Sequence, residues 1–375
     1  MSDRRSSHPY DMHDAILAQP ERIERMLRAQ RDLIARAADA AAQKKRIVYA
    51  GIGTSYNAAR LGAFFLRTLT AGRALVQVEQ SFELAHYPLS LGADDAVVLS
   101  SHRGWKNFSV AALKSAKAAG ALTIAVTGEL GGEGMGVADY RIPTCEQEDS
   151  FAHTKSLTTA LAALALFAAM IARSRSSSSS AGLGNDPLQE METISDLMRQ
   201  SLACEAECAA AAKEIAVRPR LVFVGAGPQW IVASEASLKV KETSYVHAEG
   251  LETEEFLHGP FSEMDARASL VALLVKESGA APTPPYERLL QALRAVGELG
   301  VQRVAIVSRC SSNSPQLPAE RIIEVPCAPE WLSAFTHLVP VQFLSYYLAL
   351  ARSTNPDTGR QHEPAHARAH SLFKL

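Results

Sequence analysis

Net charge is nearly absent from this 375-residue chain: 38 Lys and Arg stand against 40 Asp and Glu, leaving −2. That balance removes the electrostatic footprint of a nucleic-acid binder or of a protein held on an anionic membrane, so any anion site has to be a local pocket for a small molecule. Cysteine is scarce too. Cys145, Cys204, Cys208, Cys310 and Cys327 are odd in number and scattered, with only Cys204 and Cys208 at helical spacing. A disulfide framework is therefore not expected. A zinc pair at Cys204 and Cys208 is conceivable, but no cluster of partner ligands follows, and all five read as small buried hydrophobes in a reducing compartment. The stretch Met1-Ser-Asp-Arg-Arg-Ser-Ser-His8 lacks the apolar core of a secretory signal, which makes the cytoplasm the expected location. Long hydrophobic runs are also few. Residues 156–172 come nearest, yet they are short, alanine-rich and interrupted by Ser156, Thr158 and Thr159, which fits a buried core helix better than a membrane span.

What is present is an alternation of short apolar runs with helical patterns. A 47% hydrophobic composition at this length can bury two cores. Ile23, Met26, Leu27 and Leu33 mark an amphipathic lead-in helix over 20–43. Arg46-Ile-Val-Tyr-Ala50 is a strand that breaks at Gly51-Ile-Gly-Thr-Ser55 and resumes as a helix to residue 69. Further strands are expected at 75–78, 96–100, 122–126 and 140–142, with a helix over 107–119. Strand-turn-helix repetition implies a mainly parallel sheet, because each parallel step needs a crossover. The serine-rich stretch 174–187 has the composition of a linker. After it the pattern restarts, with a helix over 188–216, strands at 221–224, 270–275, 304–307 and 322–325, and helices near 228, over 286–297 and over 331–352. The expected organisation is a lead-in at 1–43, a first α/β domain at 44–173, the linker, a second domain at 188–352, and a polar tail at 353–375.

Two stretches carry candidate chemistry. The Gly51–Ser55 turn lies at a strand's carboxyl end before a helix, where backbone N–H groups and the helix dipole favour a phosphate, and Gly53, Thr54 and Ser55 add a tight turn and two hydroxyls. It lacks the full Gly-x-Gly-x-x-Gly fingerprint, so a dinucleotide is a minor alternative and no cofactor is expected. The second stretch, 237–249, is read as one helix. It sets Lys239 and Glu242 on a shared face, turns Lys241 toward solvent, and places His247 and Glu249 within about two helical turns. An ordinary charged helix face is the competing reading.

The run Lys239-Val-Lys-Glu-Thr-Ser-Tyr-Val-His-Ala-Glu249, with His258-Gly-Pro260, resembles the core motif of the sugar isomerase (SIS) domain family, in the form found in the isomerase half of glucosamine-6-phosphate synthases. Met12–Pro20, Gly53-Thr-Ser-Tyr-Asn57, His153-Thr-Lys-Ser-Leu-Thr158 and Asn355-Pro-Asp357 fall in the family's order. The resemblance implies two tandem doubly wound SIS-type three-layer sandwiches with mainly parallel sheets, assembled as a homodimer. It implies aldose–ketose isomerisation of a hexose or aminohexose 6-phosphate without metal or cofactor. Glu242 would carry the proton between C1 and C2, Lys239 would stabilise the enediol charge, and His258 would open the sugar ring, often from the neighbouring subunit.

His370-Ser371 lies where the family's tail places Lys-Ser over the sugar carbonyl; an imidazole there cannot form a Schiff base but can donate a hydrogen bond. The family's phosphate loop, Ser-x-Ser-Gly-x-Thr, is altered to Ser101-His102-Arg103-Gly104-Trp105-Lys106. Arg103 and Lys106 either bind the oxyanion as cations or are surface residues. His153 replaces a serine of the pattern. No cysteine follows Met1 and there is no room for a glutaminase domain, so the activity ranked first is a glucosamine-6-phosphate deaminase. The alternatives are a fructosamine-6-phosphate deglycase and a non-catalytic sugar-phosphate sensor.

Overall fold

Strand β1, Arg46–Gly51, is buried from Ile47 onward, as a central parallel strand covered on both faces must be. In the computed structural model, which describes residues 5–87, 89–175, 186–276, 281–310 and 316–373, β1 lies between β2 (Leu75–Gln80) and β3 (Asp95–Ser101). β4 (Leu122–Thr127) and β5 (Tyr140–Pro143) complete the sheet in the order β2-β1-β3-β4-β5, with every pairing parallel. The second sheet repeats the plan. β6 (Arg220–Gly225), β7 (His247–Glu252), β8 (Ala268–Leu274), β9 (Gln302–Arg309) and β10 (Arg321–Pro326) run parallel in the order β10-β9-β8-β6-β7. In each sheet the winding direction reverses beside the first strand, between β1 and β3 and between β6 and β8. Open α/β sheets bind ligands at the carboxyl ends of the strands flanking such a reversal.

Each sheet sits in its own compact unit, and both units are discontinuous in sequence. The first comprises 18–148, 153–195 and 360–375; the second comprises 1–17, 149–152 and 196–359. Asp357 shows how the chain's beginning joins the second unit: its carboxylate accepts the backbone N–H groups of Asp11 at 2.8 Å and Met12 at 3.0 Å, the exposed amides that open the helix Asp11–Leu17. The helices Lys155–Arg175 and Glu330–Ala351 are long and apolar enough to cross a membrane, but 83% of each is buried. Lys155–Arg175 packs on Gln19–Ala42 and Thr54–Leu69 as a core helix of the first unit.

Three expectations need correction. The continuous helix over 188–216 is divided into Pro187–Met191, Ile194–Ser201, a 3₁₀ turn at Leu202–Cys204 and Glu205–Ile215. Ser201 Oγ bonds back to the Leu197 carbonyl at the break, a competing local bond that weakens helix continuity. Residues 247–249 are not helical: Tyr245 takes the left-handed conformation at φ 59°, ends the helix Pro228–Ser244, and sends His247–Glu252 into the sheet as β7.

The cysteines are not all free thiols. β9 and β10 run side by side with Arg309 opposite Pro326, which sets the next residues, Cys310 and Cys327, 4.9 Å apart at Cα and joined as a disulfide. Cys145, Cys204 and Cys208 are free and buried. The bond closes 17 residues, and a loop of that size is worth about 3 kcal/mol through restriction of the unfolded chain. Cys327→Ser is therefore expected to lower the stability of the oxidised protein by about that amount. Thiol titration in denaturant without reductant should count three thiols; a count of five would show that the bond does not form in the isolated protein.

The core of the second unit holds a titrating group. His337, fully buried on Ser333–Ala351, sets Nδ1 3.0 Å from the Ser333 carbonyl oxygen and Nε2 3.1 Å from that of Leu274. Only an imidazolium could donate to both. Burial opposes that charge and prevails over the two carbonyls, pulling the pKa from 6.5 to about 4. Between those values the unfolded chain binds a proton that the folded protein refuses. Stability is then complete above pH 6.5 and falls toward pH 4, by up to about 3 kcal/mol. Urea unfolding as a function of pH should show this loss, and His337→Gln should flatten it.

Candidate functional site

In the first unit a pocket opens at the carboxyl ends of β1, β3 and β4. Its walls include Thr54 and Ser55 from the first turn of Thr54–Leu69, Ser100, Ser101 and His102 from the end of β3, Thr127 and Thr144, and His153 and Ser156 at the start of Lys155–Arg175. Gly53 caps the first of these helices at φ 58°, a conformation that favours glycine, so that the helix starts at the end of β1. Gly104 is needed for closeness as well as conformation. At φ 72°, a Cβ there would lie 1.6 Å from the Gly131 carbonyl oxygen, so the loop after β3 can pass only as glycine. Register supplies the rest: Ser101 pairs with Thr127 across β3 and β4, and Thr127 Oγ1 donates to the Ser101 carbonyl at 2.7 Å.

Glu148 anchors the wall opposite. It is buried and accepts hydrogen bonds from the Thr154 and Ser156 amides and from Thr154 Oγ1, between 2.8 and 3.1 Å. Burial alone would raise its pKa, but adjacent His153 and these donors hold it below the usual carboxylate range. The rings of His102 and His153 meet edge to face at 5.3 Å, and His153 Nδ1 lies 3.2 Å from Ser156 Oγ. Both nitrogens of His102 are shut from solvent and have no hydrogen-bond partner, as does Ser100 Oγ. Burial depresses the His102 pKa, with Glu148 pulling the other way. Arg103 and Lys106 are half-buried and do not line the pocket; burial, with Arg103 nearby, lowers the Lys106 pKa. Gly53 also stands outside the lining.

The second unit holds the other sequence-selected groups. Pro228–Ser244 starts with Gly227 and Pro228 and is buried on most of its circumference. At spacings of four and three, Glu235, Lys239 and Glu242 share one face. Lys239 is fully buried, with Nζ 3.4 Å from Glu235 Oε1 and in direct contact with Glu242 Oε2. Burial disfavours the ammonium, yet the Glu242 and Glu235 carboxylates outweigh it and hold the pKa above its ordinary value. Glu242 reaches solvent with 22% of its side chain, whereas Glu235 is 1% exposed. A proton carrier must touch substrate, and of these two carboxylates Glu242 is the accessible one.

Sequence reading missed Glu235, although its position four residues before Lys239 on the same face was the available signal. His247 and Glu249 are surface groups of β7, 3.9 Å apart. His258 is exposed and its Nδ1 meets the Glu254 carbonyl oxygen at 2.8 Å, so its partner is not the Lys239–Glu242 pair. His370 ends the helix Pro364–His370, its ring 5.3 Å from that of Phe373, within the first unit.

Two parallel doubly wound units, one with a hydroxyl-lined pocket at its reversal point and one with a buried Lys–carboxylate cluster, define a tandem α/β ligand-binding architecture. The chain belongs to the SIS domain family, whose model matches residues 41–170 and 214–352. It is 27% identical over 362 residues to the isomerizing glutamine–fructose-6-phosphate aminotransferase of Thermococcus kodakarensis, covering 95% of this chain and 58% of that protein, so it spans little more than half its relative's length. Among solved structures, the C-terminal domain of glucosamine-fructose-6-phosphate aminotransferase from Francisella tularensis superposes with a TM-score of 0.82 at 21% identity, over 94% of this chain and 99% of that one. A glucosamine-6-phosphate deaminase from Thermotoga maritima superposes at 0.71 with 19% identity, over 93% and 97% of the two chains.

Proposed function

We propose that this protein is a phosphosugar isomerase of a hexose or aminohexose 6-phosphate, working in the cytoplasm as a homodimer, with deamination of glucosamine 6-phosphate as its leading reaction. The observation that carries this reading is the buried Lys239 ammonium clamped by Glu235 and by the partly exposed Glu242. Relatives named for fructose 6-phosphate and glucosamine 6-phosphate support the substrate class. In the proposed sequence, His258 assists ring opening and Glu242 takes the C2 proton of the open-chain aldose. Lys239 offsets the charge of the enediol-type intermediate, and the proton returns at C1. From glucosamine 6-phosphate this yields the C2 imine, which water hydrolyses to fructose 6-phosphate and ammonia. The first unit's pocket is read as an anion site for a phosphate group.

Incubation with glucosamine 6-phosphate, fructose 6-phosphate, glucose 6-phosphate and fructosamine 6-phosphate in D₂O, read by NMR, tests the proposal. Deuterium entering C1 or C2 of at least one sugar, with ammonia from glucosamine 6-phosphate, is the expected result. Sugars that raise the melting temperature yet never exchange would overturn catalysis in favour of a binding-only role.

A further inference from the structure

Resting on the reading of the first unit's pocket as an anion site, we propose that His102 and His153 are its specificity determinants, binding a dianionic head group together with one proton. Three observations meet here. Ser100, 2% exposed, lines the pocket with an Oγ that has no partner, and both ring nitrogens of His102 are likewise closed off and unpartnered. The helix beginning at Thr54 borders the same space, where a helix N-terminus favours negative charge, whereas the start of Lys155–Arg175 is already capped by Glu148. The two imidazoles sit edge to face at 5.3 Å, one of them against the buried Glu148.

A pocket served only by hydroxyls and amides has no means of changing charge when it fills. Here burial keeps His102 in an environment that resists protonation, and a dianion arriving beside it supplies the counter-charge that the imidazolium lacks. The other charged groups acting on His102 are Glu148 and Glu146 from the segment before Lys155–Arg175, Lys155 from that helix, and Arg103 from the loop after β3. Glu146 already pairs with Lys155 at 2.7 Å and with Arg22 at 2.9 Å, and Glu148 is saturated by its own donors. Of the two cations among them, Lys155 is engaged by Glu146 and Arg103 lies outside the pocket lining, while the two carboxylates repel an incoming anion. The open volume, about 30 Å³, accommodates one or two waters, so a phosphate-sized group enters only with some displacement of the lining side chains, His102 and His153 among them.

Sulfate is the decisive probe because it does not titrate between pH 6 and 8. Isothermal titration of the full chain with sulfate and with glucose 6-phosphate, each in two buffers of different ionisation enthalpy, reads affinity and proton uptake together. The sulfate Kd is expected to tighten about tenfold from pH 8 to pH 7, with uptake approaching one proton per ligand. In His102→Gln and in His153→Ser that dependence should shrink to less than about twofold, whatever their absolute affinities. Tight binding by the wild type with no pH dependence and no proton uptake would overturn the proposal and leave the anion-site reading intact. If neither ligand binds at any pH while a folded, cooperative unfolding transition is present, the anion-site reading itself falls, and the proposal with it.

Discussion

Glu242→Gln is expected to remove solvent exchange at C1 and C2 of the sugar, with a loss of turnover of about 10²–10⁴-fold, the range ascribed to a positioned general base. The amide retains the size of the side chain and its capacity to accept a bond from Lys239, so sugar-phosphate affinity should stay near the wild-type value. A drop in kcat with KM unchanged is the signature of an interaction needed only in the transition state. Exchange at an undiminished rate in this variant would refute the assignment of the proton carrier. His258→Asn offers a contrast without touching the pair: if His258 opens the ring, cyclic sugars should be slowed more than an open-chain analogue.

Lys239→Met is expected to produce the largest loss of stability, about 3–5 kcal/mol, because it strips the counter-charge from two carboxylates on one buried face. A surface ion pair would cost under about 1 kcal/mol when broken, so the magnitude separates the two readings of this helix. Urea unfolding of the full chain, followed by a probe in the second unit, measures it. Since the cost comes from stranded charge and not from lost volume, adding Glu235→Gln to Lys239→Met should recover part of it. If Lys239→Met unfolds at the wild-type midpoint, the cluster contributes no structural electrostatics and its ammonium is solvated in solution.

Most of the sheet was legible because its central strands are covered on both faces. β1, β3, β4, β6, β8 and β9 each centre on a run of three to five consecutive apolar residues, and the glycine turns after β1 and β6 mark the crossovers. β7 was not legible. As an edge strand with only Ala248 fully buried, His-Ala-Glu-Gly-Leu-Glu offers no hydrophobic period to set against its helical neighbour. The pairing of Lys239 with Glu242 follows from helical spacing alone. Thr127, Thr144 and the Cys310–Cys327 contact depend on which strands are neighbours and in what register, and a linear pattern does not carry that information. The altered loop after β3 shows the same limit. Its cations were conspicuous in the sequence, yet Arg103 and Lys106 fall outside the pocket lining and His102 within it.

The bond from Asp357 to the amides of Asp11 and Met12 spans nearly the whole chain, and it also sets an order of events in the cell. On a ribosome adding about 5–20 residues per second, roughly 20–70 s separate the emergence of that first helix from the emergence of the carboxylate that caps it. For that interval Met12 and Ile16, fully buried in the finished protein, have no completed core to enter. The first sheet can assemble while synthesis continues, whereas the second must wait until β10 has emerged. The helix Asp11–Leu17 therefore stays uncapped, with Met12 and Ile16 unburied, until Asp357 has emerged, a natural target for a chaperone that binds early and releases late.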